Sequence, residues 1–387
     1  MLIASALVPL WNRADEWTRR LAMIRDARAF LYLSTYYIEH DAYGIELLDG
    51  LAEAQRRGVA INLLIDGFGQ QLGAVLMPAE AKAALAARLD ALRRGGAVVT
   101  IYRPRRLVSR WLGGGHHVKI QVSEAGEAIF GSSNITKTSF EKWNEYSVAV
   151  RGPVVVALLE SYRLFGGTVQ DAHLEQLRRV VGRVGGRAES AIELDYWFCN
   201  PNEHQGLLGP LGWRGANEVT DRLVEMIASA RRSICMTSFY FKPVEPLVAA
   251  LVKAAERGVQ VEVHHSHRDA LPATELAWIA AAAHYPRLLR AGVQILENRH
   301  GEHSKIVLVD DERVAFGSYN FEHAAHDRLA EAMFVSRDVR AVEPALGIFR
   351  ELRAHPDNVL VTGRMLRDLP VRLKVKRHVL TPFKRWM

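Results

Sequence analysis

The order of apolar and polar positions along this chain is written twice. Residues 23–38, MIRDARAFLYLSTYYI, and residues 226–241, MIASARRSICMTSFYF, each pass from a helix end through an Ala/Arg turn into an apolar run closed by aromatics. An amphipathic stretch follows in both, GIELLDGLAEAQRRGVAINLLID (44–66) and VEPLVAALVKAAERGVQVEVHHS (244–266). Apolar residues recur there at helical spacing, and the pattern then gives way to a β-branched run, which predicts a helix and then a strand. The Arg-Gly-Val at each junction is a helix stop, with Gly58 and Gly258 just past the last turn. Each half continues as a further helix and strand, three short strands and a closing helix. Such a series predicts an α/β lobe with helices covering a sheet, and its recurrence predicts an internal duplication. Between the halves, TVQDAHLEQLRRVVGRVGGRAES reads as a polar helix ending at Gly185 and Gly186. The expected division is a first lobe at 1–170, a linker helix and Gly-rich joint at 171–190, and a second lobe at 191–387.

Length and composition fit two globular lobes: 387 residues, 49% of them hydrophobic. Two cysteines, Cys199 and Cys235, are too few for a disulfide framework. No apolar run approaches the length that spans a bilayer, and MLIASALVPLW at the start lacks a basic lead and a cleavage site. A soluble or membrane-surface chain is expected. The formal charge of +7 suits a polyanionic partner. That charge is uneven. The end, VRLKVKRHVLTPFKRWM, mixes Lys and Arg with Val, Phe383 and Trp386 and holds no acid, as an interfacial segment or a solvated basic tail would.

The duplication also carries the polar groups. His117, Lys119, Ser132, Asn134 and Glu145 in the first half recur as His303, Lys305, Ser318, Asn320 and Glu331 in the second, at identical intervals. In a strand, positions i and i+2 share a face, so His and Lys project together in each half. The Asn follows a Gly-Ser turn at the end of the next strand. If the halves pack about a pseudo-two-fold axis, two copies of each group converge on one cationic, donor-rich pocket. Such a pocket suits a phosphodiester, whose charge rises as a fifth ligand adds to phosphorus. One imidazole can attack phosphorus to give a phosphohistidine, and the other can move protons. Lysines and asparagines would hold the non-bridging oxygens, with Ser132 and Ser318 as further phosphate contacts, and the glutamates would fix the far ring nitrogens. No metal or cofactor is required, since the lysines supply the positive charge. The His264–His267 run HHSH offers metal-ligand types, but adjacent strand residues face opposite sides and no cysteine joins them.

These residues resemble the phospholipase D superfamily, whose signature is HxKxxxxD followed by GSxN or GGxN. The second copy matches in full with His303, Lys305, Asp310, Gly317, Ser318 and Asn320. The first has His117, Lys119, Gly131, Ser132 and Asn134, with Glu124 where Asp is usual. The resemblance makes Glu124 and Asp310 structural residues at the strand end. Within the superfamily, the chain resembles bacterial cardiolipin synthases, in LYLSTYYIEHDAYGIELLDGLAEAQRRGVAINLLIDGFG, in RPRRLVSRWLGGGHHVKI and in EYSVAVRGPVVVALLESYRLF. It implies two lobes related by a pseudo-two-fold axis, each a mixed β-sheet flanked by helices, with the active site at their interface. It also implies His117 as nucleophile and His303 as general acid/base. The near-symmetric motifs leave the reverse assignment open.

The activity so implied is phosphatidyl transfer between anionic phospholipids, from phosphatidylglycerol to phosphatidylglycerol, on the cytoplasmic face of a bacterial inner membrane. The alternatives are a phospholipase D hydrolase, a nuclease of the same superfamily, and a non-catalytic lipid binder. A phospholipid substrate and an anionic membrane surface are the expected partners. No nucleic acid is expected, and the oligomeric state is open. Arg103, Arg105, Arg106, Arg110 and Trp111, leading into His117, form the expected headgroup or membrane rim.

Overall fold

The computed structural model describes residues 2–75, 77–183, 191–204, 217–271 and 275–380. The Gly185–Gly186 joint and the aromatic residues Phe383 and Trp386 lie outside the described residues.

The apolar runs become the central strands of two mixed sheets. In the first half, Phe30–Thr35 is buried along its whole length. It pairs in parallel with Ala60–Asp66 and antiparallel with Lys119–Ser123. Burial on both faces explains why these strands read as continuous apolar runs. The seven-stranded order is Ala6–Leu10, Ser147–Arg151, Glu127–Gly131, Lys119–Ser123, Phe30–Thr35, Ala60–Asp66, Val98–Tyr102. The second sheet repeats it as Ile192–Cys199, Leu329–Ser336, Arg313–Gly317, Ile306–Val309, Ser233–Ser238, Gln260–Ser266, Gln294–Asn298, and adds Asn358–Leu360 beyond the last.

The predicted helix stops are local conformational demands. Helix Ala42–Arg56 is capped at its start by Asp41, which accepts from the Gly44 amide. It ends before Gly58 at φ +92°, and helix Glu245–Glu256 ends before Gly258 at φ +89°. A Cβ at either glycine would meet nothing within 4 Å, so the left-handed backbone alone selects glycine there.

One expectation needs correcting. The opening residues do not all belong to the first lobe. Leu2–Ala4 pairs with Ile192–Cys199 at the edge of the second sheet, and Ala6–Leu10 pairs with Ser147–Arg151 in the first. The two short strands need edge partners, and they find them in different sheets.

The halves share a core. Ile120, Val122, Phe130 and Val148 of the first sheet form one buried cluster with Ile306, Leu308, Phe316 and Phe334 of the second. Phe130 lies 4.6 Å from Phe334 and Tyr146 lies 5.3 Å from Phe316, ring centre to ring centre. The strands that carry the duplicated polar groups thus pack against each other, which fixes the two half-sites relative to one another. Among the described residues, no helix is long and apolar enough to cross a membrane.

Candidate active site

Each half-site begins at a hairpin. Lys119 stands opposite Gly131 in the pairing of Lys119–Ser123 with Glu127–Gly131. A Cβ at Gly131 would lie 2.3 Å from the Ser147 hydroxyl, and one at Gly317 would lie 2.3 Å from the Ala332 carbonyl oxygen. Only glycine lets this strand end approach its neighbour so closely, and the approach aims the next residues inward.

The two halves then exchange backbone contacts in a symmetric way. The His117 amide donates to the Ala330 carbonyl at 2.8 Å, and the His303 amide donates to the Asn144 carbonyl at 2.8 Å. In each case the acceptor immediately precedes the glutamate of the opposite half. The side chains follow. His117 Nδ1 lies 3.1 Å from Glu331 Oε1, and His303 Nδ1 lies 2.8 Å from Glu145 Oε2. Each histidine is therefore held by the carboxylate of the other half. His117, Lys119, Asn134, Glu145, His303, Lys305, Asn320 and Glu331 are all 4% exposed or less.

The serine hydroxyls turn to the glutamates. Ser132 donates to Glu145 Oε2 at 2.5 Å, and Ser318 donates to Glu331 Oε2. Their oxygens also accept the amides of Tyr146 and Ala332, both at 3.0 Å. These hydroxyls brace the glutamates. The lysine ammonium groups are tied back to the backbone: Lys119 donates to the His117 carbonyl at 2.7 Å, and Lys305 to the His303 carbonyl. The Oδ1 atoms of Asn134 and Asn320 are buried and have no hydrogen-bond partner among the described residues.

Electrostatics separate the halves. Burial, with Lys119 and Lys305 nearby, pushes His117 well below the usual imidazole range. Burial lowers His303 to about 4, against the pull of Glu145. Burial works to raise Glu145, but His303 and Lys305 outweigh it and hold the carboxyl at about 2. Glu331 is pushed well above the carboxylate range by burial, despite Lys119. The two pairs thus differ in direction: Glu145 is held strongly acidic beside His303, whereas burial opposes the ionisation of Glu331 beside His117. Burial lowers Lys305 to about 8, and burial plus the Lys305 charge pushes Lys119 well below the lysine range. Two lysine amines share one buried site, and a bound anion would favour the charged form of both.

Glu124 and Asp310 close the loops that enter the central strands. Glu124 accepts the Arg28 amide at 2.5 Å and the Phe30 amide at 3.4 Å. Asp310 accepts the amides of Arg231, Arg232 and Ser233 at 3.0, 2.6 and 3.0 Å. Neither belongs to the cluster of buried site residues. Arg103, Arg105, Arg106 and Arg110 are exposed, and Trp111, on the helix Leu107–Trp111, is 91% exposed. The HHSH run is spent on protein partners. His264 bonds Glu262, His265 bonds the Tyr285 hydroxyl at 2.7 Å, and His267 accepts the Asp269 amide at 3.2 Å. Among the described residues, no cluster of three or more His, Cys, Asp or Glu could hold a metal ion.

Several residues around the site lie outside the motifs, among them Tyr36 and Phe239, which with Tyr37 and Tyr240 close the matched strands and read from sequence as pocket-mouth or core aromatics. Tyr36 meets the His117 ring edge-on at 4.8 Å, and Phe239 meets His303 at 4.6 Å. Trp143 stacks on His303 at 5.0 Å. The His116 amide is accepted by Asp66, and the equivalent Glu302 amide by the Ser266 hydroxyl. Glu322, two residues past Asn320, forms a buried ion pair with Lys242 at 3.0 Å. The aligned halves carried the signal for all of these, as positions that match in register but not in residue type.

Comparison with known proteins agrees with this architecture. The family model described as "Cardiolipin synthase, PLD-like domain" matches residues 21–163 and 223–353. The cardiolipin synthase of Geobacillus kaustophilus is 27% identical over 334 residues, covering 83% of this chain and 60% of that protein. Cardiolipin synthase B of Escherichia coli is 28% identical over 333 residues, covering 81% of this chain and 72% of its own. The chain thus matches about 60% of the length of the first of these relatives. The crystal structure of phosphatidylserine synthase from Haemophilus influenzae superposes with a TM-score of 0.72 at 15% identity, over 100% of this chain and 95% of that one, and shares the fold.

Proposed function

The chain belongs to the cardiolipin synthase, PLD-like domain family, and from that premise we propose that it is a phosphatidyl transferase acting on anionic phospholipid. Phosphatidylglycerol serves as donor and acceptor, and the products are cardiolipin and glycerol. The observation that carries the reading is the reciprocal hold of each histidine by the opposite glutamate.

What supports distinct roles is the difference between the two pairs. His117 Nδ1–H has the Ser318 carbonyl as an acceptor at 2.9 Å, besides Glu331. That tautomer leaves the Nε2 lone pair free to attack, and the depressed basicity of His117 keeps it neutral. His303 leans on an ionised Glu145, which stabilises an imidazolium when an anionic substrate is also present. The N–P bond forms at His117 as the bond from phosphorus to the headgroup oxygen breaks, and His303 gives that oxygen its proton. The acceptor hydroxyl then yields its proton to His303 and attacks phosphorus, and the N–P bond breaks. Lys119 and Lys305 offset the charge that builds on the phosphoryl oxygens.

The same reading places the protein against the inner leaflet of a bacterial membrane. Four arginines flank the exposed Leu107 and Trp111 just upstream of His117. On helix Val371–Leu380, Val371, Val375 and Val379 are exposed at helical spacing among basic residues. Apolar knobs ringed by cations match an anionic bilayer surface.

The test is a product assay with phosphatidylglycerol vesicles and no added divalent metal. Cardiolipin with stoichiometric glycerol is the expected outcome. Phosphatidic acid as the main product would replace transfer with hydrolysis, and turnover of nucleic acid alone would make the protein a nuclease.

A further inference from the structure

The ion pair Lys242–Glu322 has no counterpart in the first half, although the backbone around it does. The Lys242 amide donates to the Phe321 carbonyl at 2.9 Å, and the Glu39 amide donates to the Ile135 carbonyl at 3.2 Å. Phe321 follows Asn320 just as Ile135 follows Asn134, so Glu39 matches Lys242, and Thr136 matches Glu322. In the first half Thr136 caps helix Lys137–Glu141 by accepting the Ser139 amide at 3.1 Å. In the second half Glu322 sits at the same position before helix His323–Asp327, yet its side chain makes no capping bond. The carboxylate instead meets Lys242 Nζ at 3.0 Å and the Asn320 amide nitrogen at 3.4 Å.

The turn therefore folds without an ion pair in one half and carries a buried one in the other. Lys242 and Glu322 are each 5% exposed. Taking two charges out of water is costly, and their attraction returns that cost only in part. The pair is also at the site. Glu322 lies 3.4 Å from the side-chain amide of Asn320, one of the duplicated site residues. Lys242 Nζ lies 5.2 Å above the Tyr240 ring.

We propose that Lys242 and Glu322 form the subsite for the polyol portion of the substrate, engaging two hydroxyls on neighbouring carbons. The proposal rests on the phosphatidyl-transfer reading above. A phosphodiester lipid has three parts. The phosphate belongs with Lys119 and Lys305, and the Glu322 carboxylate repels it. The acyl chains are excluded by a charged pair. The alcohol remains. One hydroxyl of a vicinal diol donates to the carboxylate while the next accepts from the ammonium. Water or a monohydric alcohol must serve both members through one oxygen, with poorer hydrogen-bond geometry than two hydroxyls on neighbouring carbons, and such differences discriminate between acceptors.

The experiment measures how one phosphatidyl intermediate divides between acceptors. Phosphatidylglycerol vesicles are supplied with 1-propanol, and the ratio of cardiolipin to phosphatidylpropanol is measured. This ratio does not depend on how much of the protein is folded. The native chain is expected to favour the diol. E322T, which installs the first half's capping residue, and K242Q are each expected to lower the ratio about tenfold or more. An unchanged ratio in both variants overturns the subsite, as does a native ratio with no diol preference. Should one variant make no product, the other decides. Absence of any phosphatidyl product from the native chain would instead sink the transferase reading itself.

Discussion

The two half-sites carry the same four polar side chains at the same intervals and share their serine and backbone supports, but the rings and the electrostatics around the histidines differ. His303 stacks on Trp143 and bonds an ionised Glu145. His117 meets Tyr36 edge-on, shares its Nδ1 between the Ser318 carbonyl and Glu331, and faces a carboxyl raised by burial. The buried acid below each HxK turn has also changed place: Asp66 with His116 in one half, Ser266 with Glu302 in the other. Burial raises both Asp66 and Glu302 to about 7. A duplicated site begins with two equivalent histidines, but a two-step transfer needs one to bond phosphorus and one to move protons. The surroundings make them unlike while the reacting groups stay alike.

The sharpest way to break this comparison is to remove each histidine in turn. H117A and H303A are each expected to lower transfer by about ten-thousandfold, the scale at which a nucleophile or proton carrier is lost. Long incubation with phosphorus-labelled substrate followed by quenching separates them: H303A still acquires label, slowly, and H117A does not. Label retained only by H117A would reverse the roles. Next come the carboxylates. E145Q removes the ionised partner of His303 and is expected to cost about a hundredfold in kcat. E331Q alters a carboxyl whose ionisation burial already opposes and is expected to cost about tenfold or less, because the Ser318 carbonyl still holds His117. Equal losses would mean that the two pairs are electrostatically the same. A smaller effect concerns stability. Asp310 receives three amides and Glu124 two, so D310A should destabilise by about 1–2 kcal/mol and E124A by less, measured by urea unfolding. The smallest is W111A, expected to weaken binding to anionic vesicles a few-fold without moving Tm.

The motif set was legible because a repeat at constant intervals is hard to produce by chance, and because Arg-Gly-Val marks a backbone event at Gly58 and Gly258. What the intervals could not tell is which half's glutamate reaches which histidine. Spacing along one chain segment is silent about a partner brought in by the packing of Phe130 on Phe334. The serines show the same limit. Beside an asparagine in a GSxN turn they read as phosphate contacts, yet full burial next to Glu145 and Glu331 turns their hydroxyls inward. The Lys242–Glu322 pair is illegible for a different reason: it breaks the repeat, since Glu39 and Thr136 stand at the matching positions, so no recurring interval marks it.

The short strand Leu2–Ala4 has a consequence in time. During synthesis it leaves the ribosome long before its partner Ile192–Cys199 exists. The first sheet can close on Ala6–Leu10 as soon as Ser147–Arg151 has emerged, but the three residues ahead of it must wait for the second half to be made. This strand is thus among the last elements to find its place, and a chain halted midway would carry it as an unclaimed edge strand.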